Sequence, residues 1–111
     1  MPLIATEVWV GSLIRRVELG GGFAAVLRKG DPRAGAVLIR TADYRAGDFR
    51  LYASAERGEG ERVWMRPTRQ TDEATLEAYV ARAVAVDPDL WVVEIEASDG
   101  ARFLTEPVDE G

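Results

Sequence analysis

The sequence predicts an α+β domain, a mainly antiparallel sheet of five to six strands with two main helices. Two stretches carry the apolar spacing of a helix face, residues 2–19 and 71–86. Two runs, 23–27 and 36–39, are apolar at consecutive positions and flank a break holding Gly30, Pro32 and Gly35. Three further segments, 49–53, 62–66 and 91–97, alternate between apolar and polar. A strand with one wet face alternates, whereas a strand covered on both faces does not. The two unbroken runs therefore read as a hairpin at the centre of the sheet. One helix on each face would give three layers; both helices on one face, giving two layers, is the alternative.

In the first helix Val10, Leu13, Ile14 and Val17 repeat at i, i+3, i+4 and i+7. Thr6 is a candidate cap, a start near Leu3 is also open, and Gly20, Gly21 and Gly22 end the helix. A dinucleotide-binding reading of these glycines needs a strand before them and a helix after; here the order is reversed. Gly30 and Gly35 have the glycine spacing of a P-loop, but Ala36 and Val37 stand where that motif needs Lys and Ser or Thr. Phe49, Leu51 and Ala53 share one face of the third strand, and Val63 and Met65 one face of the fourth, which Pro67 ends. Residues 55–60 read as the loop between them. Thr71 is placed at the N-cap of the second helix, with Asp72 and Glu73 complementing its dipole. Leu76, Tyr79, Val80, Ala83 and Val84 form its apolar face, and Pro88 stops it.

Trp91, Val93, Ile95 and Ala97 point one way from the next strand, and Val92, Glu94 and Glu96 the other. A three-residue turn, Ser98-Asp99-Gly100 with Gly100 left-handed, then returns a last strand over 102–104. That register sets Phe103 opposite Ile95 and Arg102 opposite Glu96, whereas a two-residue turn sets Phe103 against Glu96. The single domain is assigned to residues 1–104. Residues 105–111, acidic and containing Pro107, are expected to fray.

Composition narrows the chemistry. The 111 residues contain neither Cys nor His. Disulfides, thiolate sites and Ser-His-Asp triads are excluded, and the commonest metal ligand and general base are missing. No cofactor is expected. The net charge is -5, a poor match to nonspecific nucleic-acid binding. The charge is uneven: residues 1–55 carry eight bases against five acids, and residues 56–111 carry six against fourteen. No apolar run approaches the length of a membrane span. Residues 1–14 lack the basic start of a signal peptide, so a cytoplasmic location is expected.

Several groupings read as ordinary structure. Glu94 and Glu96 sit on one strand face without the further oxygen ligands a cation needs. Asp87 and Asp89 flank Pro88 as turn residues. Lys29 belongs to a solvated loop, Arg15 and Arg16 edge a helix surface, and Trp91 anchors the core. The best binding candidates are Arg50, Tyr52, Arg62, Trp64 and Arg66. If Phe49, Leu51, Val63 and Met65 face the core, these five share the opposite face of two successive strands. Arginine beside aromatic rings can stack bases, meet phosphate or hold an acidic peptide. The competing reading packs them against one another or under a helix.

Two segments, GGFAAVLRKGDPRAGAVLI and DPDLWVVEIEASDGARFL, carry a resemblance over nearly the whole chain. Their order and wording resemble a small bacterial family catalogued as domain of unknown function 1491. The most specific parts are Arg28-Lys29-Gly30-Asp31, Ala34-Gly35-Ala36 and Asp87-Pro88-Asp89-Leu90-Trp91. The resemblance implies a shared fold and a bacterial source, and carries no activity or catalytic residue. From the residues, the favoured function is a small protein-binding module without catalysis, with an acidic segment of another protein as partner. The alternative is a binder of nucleotide or single-stranded nucleic acid. Third is an enzyme working through carboxylates, without His or Cys. No membrane partner is expected.

Overall fold

The structure, a computed structural model, describes residues 4–58 and 60–110. Helix α1 spans Thr6–Leu19 and buries Trp9, Val10, Leu13 and Val17. Residues 2 and 3 of the predicted helix lie outside the described residues. Thr6 is the first helical residue and not a cap. Its hydroxyl donates to the Gly35 carbonyl at 2.9 Å, and the Thr6 and Glu7 amides donate to the carbonyls of Arg33 and Pro32. The 30–35 loop thus satisfies amides that a helix start leaves without partners. At the other end Gly21 adopts φ 85° and the Gly22 amide returns to Val17, so the glycine run is a helix stop.

The strands are β1 (Phe23–Arg28), β2 (Val37–Asp43), β3 (Asp48–Arg57), β4 (Glu61–Met65), β5 (Trp91–Glu96) and β6 (Val108–Asp109). They form one sheet in the order β1-β5-β2-β3-β4-β6. The predicted central hairpin is therefore corrected: β5 lies between β1 and β2, antiparallel to the first and parallel to the second. The physical reason is burial. Trp91, Val92, Val93 and Ile95 of β5 are all buried, whereas Phe23, Val26 and Leu27 of β1 are exposed. Strand β5 has more to gain from an interior place. In β2 the expectation holds, because every residue from Val37 to Ala42 is buried. Ala36, just before it, is exposed.

Alternate residues of each inner strand enter two separate clusters. Val37, Ile39, Tyr52, Trp64, Trp91, Val93 and Ile95 pack with α1. Leu38, Ala42, Phe49, Leu51 and Val92 pack with α2, Glu73–Val86. One helix covers each face, and the sheet is the middle layer. The cap of α2 is Asp72 and not Thr71: its carboxylate accepts from the Thr75 amide at 2.9 Å and the Thr75 hydroxyl at 2.7 Å. Asp87 accepts from the Asp89 amide at 3.0 Å, an ordinary Asx turn.

Three C-terminal expectations are corrected. The left-handed residue is Asp99, at φ 49°, and not Gly100. No strand forms over 102–104; Gly100–Phe103 is a 3-10 turn that carries Phe103 and Leu104 into the α1 cluster. Phe103 fits because Gly20 has no side chain: a Cβ there would lie 2.5 Å from its ring. Finally, 105–110 do not fray. Strand β6 pairs with β4 in parallel, the Trp64 amide donates to the Pro107 carbonyl at 2.8 Å, and Glu106 bonds two indoles. Strand β3 also runs four residues past its predicted end, to Arg57.

Candidate functional site

Strands β3 and β4 pair with Ser54 opposite Trp64. Arg50, Tyr52, Arg62, Trp64 and Arg66 therefore do fall on one face, the face that α1 covers. Trp64 is fully buried and Tyr52 nearly so, so the exposed aromatic surface expected from the sequence does not exist. The Trp64 ring lies 5.3 Å from that of Trp9 on α1. Both indoles donate to Glu106, from Trp64 at 2.9 Å and Trp9 at 3.1 Å. Burial pushes the Glu106 carboxyl up, but the Trp64 and Trp9 N–H groups outweigh it and hold the group below its ordinary range. Arg66 stacks 6.0 Å from the centre of the Tyr52 ring. Arg62 stands opposite Glu56 in the β3–β4 ladder.

Past the end of α1 the same face opens into a cleft of about 290 Å³. Thr41, Asp43, Asp48, Arg50, Tyr52 and Asp99 supply its polar lining. Only Arg50 and Tyr52 of the five predicted residues reach it. Arg50 is already committed: its guanidinium grips Asp48 through two bonds, at 2.9 and 3.0 Å. The Arg50 hydrogen bonds and charge hold Asp48 below the usual carboxylate range, with burial opposing. Asp48 and then Tyr52 push Arg50 upward. Asp43 stands directly opposite Asp48 across β2 and β3 and accepts from the Ala46 amide, at 3.1 Å. Sequence reasoning found the arginine and missed the carboxylates, because Asp99 is brought in by the turn after β5.

Two charged side chains of the inner strands are paired. On the α2 face, Arg40 is buried in β2, pairs with Glu73 at 2.6 Å and stacks on Phe49. Glu94 accepts the Tyr44 hydroxyl at 2.7 Å. Among the described residues no group of three or more acidic side chains could hold a metal ion, and no helix is long and apolar enough to cross a membrane. One further surface stands open. Strand β1 is an edge of the sheet and exposes Phe23, Val26 and Leu27.

A family model described as a protein of unknown function, DUF1491, matches residues 4–105. No curated protein matches. The chain is similar to a crystal structure of a DUF1491 family protein from Caulobacter crescentus, at 60% identity and a TM-score of 0.91, covering 96% of this chain and all of that one. An NMR structure from the same organism gives 58% identity and 0.90, over 99% of this chain and all of that one. A solution structure of an Agrobacterium tumefaciens protein gives 34% and 0.82, over 96% and 97%.

Proposed function

For this chain, which belongs to the DUF1491 family of proteins of unknown function, we propose a role as a protein-binding module that adds an extended segment of its partner to the edge of β1. The observation that carries this is the exposure of Phe23, Val26 and Leu27 on an edge strand of an otherwise well-filled sheet. An open edge offers unpaired backbone groups, and flanking apolar side chains give the added strand something to pack on. The β1 ladder shifts between Val26 and Arg28, so the regular edge runs from Phe23 to Val26 and suits about four residues of partner. A phosphate-directed reading of the arginine face is less well supported, because Asp48 occupies the Arg50 fork.

The test is selection from a displayed random-peptide library, followed by amide hydrogen exchange on the complex. The expected binders alternate apolar residues, protect the amides of 23–26, and lose binding to Val26→Lys while the melting temperature holds. Binders that leave the β1 amides unprotected, or a library that yields none, would overturn the reading.

A further inference from the structure

Resting on the open edge just described, we infer that the segment added to β1 is β1 of a second copy of this chain, antiparallel and in register about Ala25. Backbone direction fixes which groups the edge offers. The Trp91 and Ala97 amides donate to the carbonyls of Ala36 and Ala42, at 2.9 and 3.1 Å, on the β2 side of β5. The amide and carbonyl of one strand residue point the same way and alternate along the strand, so Glu94 and Glu96 turn theirs toward β1. Their partners Ala25 and Phe23 bond inward, and Ala24 and Val26 present their amides and carbonyls outward. Two antiparallel copies centred on Ala25 set Ala24 of each opposite Val26 of the other, and every outward group of both residues is paired. Other centres waste these groups. A register about Ala24 sets Val26 against Gly22, whose amide is already given to Val17. A register about Val26 sets Ala24 against Arg28, which pairs inward with Val92.

The side chains complement themselves in the same register, as a two-fold contact requires. Ala25 meets itself, Ala24 meets Val26, and Phe23 comes beside Leu27, so the exposed side chains of the edge cover one another. The ends agree in charge. Arg28 and Lys29 close the strand. Glu96 stands opposite Phe23 at its start, and Glu18 lies in the last turn of α1 just before it. Among the described residues, Glu18, Lys29 and Glu96 take part in no ion pair. Antiparallel pairing brings the basic end of each copy to the acidic end of the other, whereas parallel pairing sets like beside like. The opposite edge of the sheet is guarded: β6 has 2 residues, follows Pro107 and carries Asp109 beside Glu110. Strand β1 runs for 6 residues with no proline and no charge before Arg28.

The chain has no cysteine, so a single Ala25→Cys reports the register. The two Ala25 residues would be a non-hydrogen-bonded pair, about 4.5 Å apart at Cα and within the span of a disulfide. In a glutathione redox buffer, Ala25→Cys is expected to close the covalent dimer at least about ten-fold more readily than Ala81→Cys on the exposed side of α2. Sedimentation of the unsubstituted chain should show a monomer–dimer equilibrium, and the Ala24 and Val26 amides should exchange more slowly as the dimer fills. Val26→Lys and Lys29→Glu should each weaken dimerisation about ten-fold, with the melting temperature of the dilute chain unchanged. Equal closure at Ala25 and Ala81, a chain that stays monomeric up to about 1 mM, or a dimer in which Ala24 and Val26 exchange as in the monomer would overturn the second copy as partner. Library peptides that still protect β1 in such a chain would leave the edge reading standing, so the two fail separately.

Discussion

Glu106 shows how one side chain can decide the fate of a terminus. Its two oxygens accept from Trp64 and Trp9, so removing it strands two buried donors. Glu106→Gln keeps one acceptor and turns an amide N–H toward an indole N–H. Thermal or urea unfolding should show a loss of about 1–3 kcal/mol, with Glu106→Ala at least as costly. Because the folded carboxyl lies below its ordinary range, its contribution is present above the unfolded pKa and is lost as pH falls through the folded one. The Gln variant should lack that part of the acid response; a parent-like profile would show that the clamp carries no stability. Tyr44 titrates in the opposite sense. Its bond to Glu94, then burial, pushes it up to about 12. The fold gains from the protonated phenol at lower pH and loses that gain as pH rises through the folded value. Phenolate absorbance should show Tyr44 titrating late, and Glu94→Gln should bring it down.

At the scale of the element, β1 and β2 look alike as strings of apolar residues and behave differently in the sheet. Leu38 in β2 is 2% exposed and Val26 in β1 is 40% exposed. Leu38→Asp buries an unpaired charge and should cost on the order of 3–5 kcal/mol. Val26→Asp should cost about 1 kcal/mol or less, since the new carboxylate stays in water. Equilibrium denaturation of the two variants side by side checks the assignment of centre and edge. Equal losses would place β1 inside the sheet.

For the whole molecule, the segments that carry the family resemblance meet in space. The Asp31 amide donates to the Asp89 carbonyl at 3.0 Å, the Trp91 indole to the Asp31 carbonyl at 2.7 Å, and Arg28 to the Pro88 carbonyl at 2.9 Å. The loop between β1 and β2 thereby locks onto the turn that leads α2 into β5, and it also supports the start of α1. Gly30 and Gly35 are needed for closeness and not for phosphate: a Cβ on Gly35 would sit 2.5 Å from the Asp89 carbonyl oxygen. Backbone cannot yield as a flexible side chain does. Gly35→Ala should therefore cost about 1–3 kcal/mol, measurable as a lower denaturation midpoint. An unchanged midpoint would mean that the interlock is loose.

The sequence by itself determined what depends on neighbours along the chain. The periodicity of Leu76, Tyr79, Val80 and Ala83 marks α2, the glycines after Leu19 stop α1, and alternation places Phe49 and Leu51 on one face and Tyr52 and Trp64 on the other. It also carried the α+β class and the family resemblance. The tertiary structure alone decided what depends on partners distant in sequence. Adjacency in the chain suggested a β1–β2 hairpin, but the larger apolar burial of β5 claimed the place between them. The face shared by Arg50, Tyr52 and Trp64 was legible; its covering by α1 and Glu106 was not, because no local pattern records which layer lies above a strand. For the same reason the acidic tail read as frayed, although two indole N–H groups fifty or more residues apart in the chain both required its carboxylate.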